Sequence, residues 1–136
     1  MPVSKENVDL VRSIYAGWEH GDYSSAEWAD PDIEFVIADG PAPGRWTGRA
    51  GMAEGFRDFL KAWTHFRVEA DEYRELHGGR VLVLEYRRGR GRTSGLDLGA
   101  MGTKGAHLFH IRGGKVTRQV IYLDRDRALA DLGLAE

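Results

Sequence analysis

The chain predicts an α+β domain, a curved antiparallel sheet wrapped around three helices of the N-terminal half. Three observations predict it. Helix-period segments lie early, up to Trp63. Four strand-type segments then follow one another from Phe66 to Leu123 with no alternating strand–helix rhythm. Glycine-rich turns join them at His77-Gly78-Gly79-Arg80 and Arg112-Gly113-Gly114-Lys115. At 136 residues and 42% hydrophobic content, the chain is read as one domain, residues 1–136, large enough to bury a real core.

Residues 4–20 read as the first helix, with Ser4 as cap and Val8, Val11, Ile14, Tyr15 and Trp18 spaced by three and four. His20 and Gly21 end it. Residues 22–29 read as a second short helix capped by Asp22 and stopped before Pro31. Ile33–Ala38 is a strand, and Asp39–Gly48, with two prolines and three glycines, an irregular loop. Arg49–Trp63 forms a helix with Met52, Phe56, Phe59, Leu60 and Trp63 on one stripe. The sheet continues with Phe66–Leu76, Val81–Arg92, Leu98–Ile111 and Val116–Leu123. Asp124–Leu132 is a closing helix with Asp124 as cap.

Composition removes several function classes. The formal net charge is −2, so no whole-chain attraction to nucleic acid or anionic membrane is expected. The run Arg87-Arg88-Gly89-Arg90-Gly91-Arg92 reads as a solvated face, ion-paired with Glu69, Asp71 and Glu75, rather than a nucleic-acid site. The chain has no cysteine, which excludes disulfides and thiolate chemistry. No histidine pair has helical metal-ligand spacing, and no glycine-rich phosphate loop or nucleophile elbow is present. The N-terminus lacks a signal-peptide core and no apolar run approaches a membrane span, so a cytoplasmic protein is expected.

His107 is the residue most open to a chemical role. On its strand it shares a face with Phe109 and Ile111, which points the imidazole into an apolar interior, as a satisfied core residue or part of a site. Asp39 ends a strand and opens a Gly/Pro loop, as a turn residue or as a carboxylate at a pocket mouth.

The segments Glu19–Tyr23 (EHGDY), Ala29–Phe56 and His107–Asp124 resemble, in order and spacing, the nuclear transport factor 2-like superfamily, and within it the SnoaL-like polyketide cyclase and ketosteroid isomerase group. The resemblance implies a cystatin-like cone, a sheet closed by three helices around an internal pocket, and a homodimer through the outer sheet face. It also implies catalytic roles for Asp39 as general base and for His107 in place of an oxyanion-hole acid. Registered on Gly21-Asp22, the family tyrosine of helix 1 would fall at Ile14, one residue before Tyr15. Tyr15, Trp18, Trp46, Phe56 and Phe109 are the expected substrate-binding residues. The Arg-x-Asp pair of related epoxide hydrolases falls on Glu85-x-Arg87 with charges reversed, which reads as an ion pair, internal or superficial. The expected function is a cofactor-independent acid/base enzyme of isomerase, cyclase or dehydratase type, acting on a small hydrophobic oxygenated metabolite. No metal is expected. The alternative is a non-catalytic small-molecule-binding or dimerisation module of the same fold.

Overall fold

A computed structural model of the chain describes residues 2–20, 22, 27–39, 43–61, 63–91 and 103–134. The element order is α1 (Pro2–Glu19), β1 (Ala29–Ile37), β2 (Gly44–Thr47), α2 (Gly48–Lys61), β3 (Trp63–Leu76), β4 (Arg80–Gly91), β5 (Thr103–Arg112), β6 (Lys115–Tyr122) and α3 (Arg125–Asp131). The six strands form one curved, open sheet in the order β2-β1-β6-β5-β4-β3. Each hairpin is antiparallel, but β1 runs parallel to β6, so the sheet is mixed rather than wholly antiparallel as expected.

Other expectations shift at element ends. Half of the short helix placed over 22–29, all of the break at 93–95 and the first residues, 98–102, of the strand placed over 98–111 lie outside the described residues. Glu27 and Trp28 form a turn, and β1 already begins at Ala29. Pro31 sits inside β1 because the register with β6 is irregular between Ala29 and Glu34, and β2 pairs only from Glu34 onward. There, a missing N–H breaks no ladder bond. The Gly/Pro loop before α2 contains β2, which pairs Trp46 with Phe35. The β5–β6 turn is as predicted: Gly113 and Gly114 both have positive φ (58° and 78°), the conformation a two-residue hairpin needs.

Two apolar layers sandwich the sheet. On the inner face Val11, Ile14, Tyr15 and Trp18 of α1 and Met52 of α2 pack against Ile33, Phe35, Val83, Phe109 and Ile121. On the outer face Ala128 and Leu129 of α3 cover Leu82, Leu84, Leu108 and Val120. Two of the three described helices therefore line the inner face, and the closing helix covers the other side. Asp124 caps α3, accepting from the Asp126 N–H.

Trp46 clamps the β2 edge to α2. Its indole packs on Phe35, and a Cβ on Gly55 would lie 2.6–2.9 Å from its ring carbons. Gly55→Ala is therefore expected to lower stability by about 1–3 kcal/mol through overpacking, although alanine is the better helix former by about 1 kcal/mol. Thermal denaturation of the variant checks this; an unchanged or raised midpoint would show that the indole moves aside freely.

Candidate active site

Strand alternation builds the site. On β4, Val81, Val83, Glu85 and Arg87 share the inner face; on β5, Gly105, His107 and Phe109 do; on β6, Gln119 and Ile121 do. Glu85, Arg87, His107 and Gln119 are 1%, 3%, 2% and 1% exposed, so four polar side chains lie under the helices.

Each is tied to another. Tyr15, fully buried on α1, donates its hydroxyl hydrogen to Glu85 Oε1. Arg87 forms an ion pair with Glu85 Oε2 and also donates to the carbonyls of Tyr122 (2.7 Å) and Ala106 (3.2 Å). His107 Nδ1 lies 3.7 Å from Glu85 Oε1, an electrostatic contact rather than a hydrogen bond. Gln119 Nε2 donates to His107 Nε2 at 2.8 Å; with the amide in this orientation, the neutral ring carries its proton on Nδ1, toward the carboxylate. Gln119 Oε1 has no partner among the described residues.

Space for the guanidinium comes from Gly105, where a Cβ would overlap Arg87 Nη1. From the far side of the sheet, Arg125 holds the same strands, donating to the carbonyls of Glu85 (2.9 Å) and Gly105 (3.3 Å).

The electrostatics follow from burial and pairing. Burial works to raise the Glu85 carboxyl, but Arg87, His107 and Tyr15 outweigh it and hold the group below the usual carboxylate range. Burial pushes His107 down against the upward pull of Glu85, leaving a neutral imidazole. The Tyr15 phenol is raised by burial and by the adjacent Glu85 charge. The result is an ionised carboxylate, a guanidinium and a neutral imidazole inside a fold whose other inward residues are largely apolar.

Aromatic rings frame this cluster. Phe109 and Trp18 stack on the imidazole with centroids at 4.5 Å and 5.3 Å. A cavity of about 10 Å³ adjoins it, lined by Trp18, Phe56, Phe59, Val68, Glu85, Arg87, His107 and Ile121. That is room for about one water, so the interior beside His107 is nearly filled by side chains.

The expected site residues divide accordingly. His107, Trp18 and Phe56 meet at the cavity, while Phe109 and Tyr15 back it from behind. Tyr15 faces inward despite its one-residue offset and uses its hydroxyl on Glu85. Trp46 belongs to the β2–α2 clamp and does not line this cavity. Asp39 is buried at 8% exposure, but its carboxylate accepts the N–H groups of Leu123 (2.6 Å) and Asp124 (3.2 Å), extending the β1–β6 ladder past Ile37. Among the described residues no hydrogen bond or ion pair joins it to His107. The register Ile37↔Ile121↔His107 sets the two residues two strands apart and offset by two residues, about 12 Å between Cα atoms at ordinary strand spacing. The structure thus does not bring Asp39 and His107 together.

Glu85-x-Arg87 proves to be an internal pair. Gln119 is new to the site; its signal in the sequence is a polar residue two before Ile121 on the same strand face. The described residues contain no cluster of three or more His, Asp or Glu groups placed to hold a metal ion. No described helix is long and apolar enough to cross a membrane.

This combination of cone and buried cluster coincides with a family match: the SnoaL-like domain, over residues 11–119. The chain belongs to the SnoaL-like domain family. No curated protein matches it. Among solved structures, TerC co-crystallized with polyporic acid is similar at 25% identity, TM-score 0.72, covering 93% of this chain and 97% of its own. An NTF2-like protein of unknown function from Burkholderia pseudomallei is similar at 21% identity, TM-score 0.74, covering 92% and 95%. A Catenulispora acidiphila protein with a ketosteroid isomerase-like fold, in complex with trimethylamine, is similar at 17% identity, TM-score 0.67, covering 93% and 94%. The last two likenesses bear on the fold of this SnoaL-like chain alone.

Proposed function

We propose that this SnoaL-like domain is a cofactor-independent acid/base enzyme, of isomerase, cyclase or dehydratase type, acting on a small hydrophobic oxygenated metabolite. One observation carries the proposal: the ionised Glu85–Arg87 pair and the neutral His107 imidazole, 1–3% exposed, border a cavity walled by Trp18, Phe56 and Phe59. Burying a charged pair costs several kcal/mol per ion before pairing, and an apolar trio would fill the same space without that cost. Titratable groups perturbed by burial and a specific charge partner beside a cavity are candidates for a functional site.

In this reading His107, oriented by Glu85 at Nδ1, exchanges a proton at Nε2 once a ligand displaces the Gln119 amide. Arg87 stabilises negative charge developing on a substrate oxygen. Trp18, Phe56 and Phe59 move outward to admit the ligand, because about 10 Å³ holds no metabolite. Asp39, fastened to two backbone N–H groups, secures the ends of β1 and β6 rather than moving the proton. Polyporic acid, with which TerC is co-crystallized, is the ligand to try first.

The test is solvent exchange. Aryl β-diketones and polyporic acid are incubated with the protein in D₂O, and deuterium uptake at carbon is followed by NMR for the diketones, with binding by tryptophan fluorescence for both. His107→Gln is expected to lower exchange by about 10²–10⁴-fold while Asp39→Asn leaves most of it. Exchange unaffected by His107→Gln overturns the assignment. A non-catalytic binding or dimerisation module is the second reading. It is favoured by the fact that both imidazole nitrogens and both Glu85 oxygens already face groups of the fold. Ligand binding with no exchange above buffer would establish it.

A further inference from the structure

The outer sheet face carries a row of cations. Arg80 on β4 is paired in register with His110 on β5, and His110 with Arg118 on β6. The row continues to Glu34 on β1, which sits opposite Arg118. At ordinary strand spacing the two arginine Cα atoms flank His110 about 10 Å apart, within reach of one another's side chains across the imidazole. The carboxylate of the row, Glu34, is shared: Arg118 and Arg45 each approach it at 3.1 Å. Arg118 Nε makes no aligned hydrogen bond even so. Arg80 is steadied by donating Nε–H to the His77 carbonyl at 2.9 Å. Among the described residues, Arg118 and Arg45 share the Glu34 carboxylate and Arg80 forms no ion pair.

We propose that the Arg80–His110–Arg118 row is a binding site for a tetrahedral dianion, a phosphate or sulfate group, on the face of the sheet opposite the interior cluster. Two guanidiniums with a central ring N–H match the geometry and charge of such an oxyanion. Burial, Arg118 and Arg80 hold His110 below its ordinary range, with Glu34 pulling the other way. A dianion seated there reverses the sign of that field, so binding is coupled to proton uptake by His110.

The test follows the His110 Cε1–H signal by NMR across pH, with sodium sulfate as a dianion that does not itself titrate, against sodium chloride at equal ionic strength. The His110 midpoint is expected to rise with sulfate and not with chloride. A tenfold preference for the protonated ring corresponds to a rise of about one pH unit at saturation. Arg80→Gln and Arg118→Gln are expected to weaken sulfate at least severalfold, and Glu34→Gln, which removes the competing carboxylate, to tighten it. Inorganic phosphate and phenyl phosphate then separate a free ion from a phosphorylated metabolite, the latter shown by tighter binding of the phenyl ester. A midpoint indifferent to sulfate, the same rise in the Arg80→Gln/Arg118→Gln double variant, or His110 sealed in a sheet-face dimer would each overturn the proposal.

Discussion

Glu85→Gln is expected to lower unfolding stability by about 3–5 kcal/mol, the usual cost of removing one partner from a buried ion pair. The variant keeps the volume and the contact with Tyr15, but leaves Arg87, 3% exposed, without its counter-charge. The carbonyls of Tyr122 and Ala106 still accept from the guanidinium, yet they offer dipoles where a full charge stood. Replacing both members, as in Glu85→Gln/Arg87→Met, is expected to recover much of the loss, because no unpaired charge then remains in the cluster beneath the helices. Equilibrium urea unfolding of the three proteins checks both statements. A Glu85→Gln variant within about 0.5 kcal/mol of the parent would mean that solvent already screens the pair.

Acid is expected to destabilise the protein in two stages of the same sign. His107 is neutral in the fold, held below the ordinary 6.5 mainly by burial. Below about pH 6.5 the unfolded chain takes up a proton that the fold refuses, so stability falls as pH falls, by up to about 1.4 kcal/mol per pH unit for one proton. Glu85 is held below the ordinary 4.5, so its contribution is complete above that value and is lost as pH drops through the folded value. His110 adds in the same direction as His107, but, less deeply buried, it adds less. Urea midpoints at pH 7.5, 6 and 5 should decline in the parent and decline much less in His107→Gln, where the smaller His110 contribution is left. A parent profile flat from pH 7.5 to 5 would show that His107 accepts its proton without resistance.

The fold was largely legible because its determinants are local. Periodicity places α1, α2 and four strands within a few residues of their observed ends, and Gly113-Gly114 and Asp124 act where their chemistry suggests. The parallel pairing of β1 with β6 was hidden, since nothing in IEFVIA specifies which strand it will meet. The interior pair was hidden for another reason. In the run from Val81 to Arg87 both faces are covered, by α1 on one side and α3 on the other, so Leu82 and Leu84 are as apolar as Val81 and Val83. The alternation that tells inside from outside is erased, and Glu85 and Arg87 could not be assigned to either face. Asp39 misled through position: a carboxylate at a strand end serves equally to catalyse at a rim or to satisfy backbone donors, and only coordinates show the N–H groups of Leu123 and Asp124 upon it.

The pairing of β1 with β6 sets a schedule for biosynthesis. Glu34 finds its neighbour at Arg118, and Tyr15 reaches Glu85 across 70 positions. Until β6 leaves the ribosome, the early helices have only a partial sheet to rest on, and Gln119 cannot yet reach His107. Long-range closure of this kind slows assembly and leaves half-made polypeptides with sticky surfaces. Nascent chains truncated before Lys115 should therefore lean on chaperones, with their ionised interior still wet.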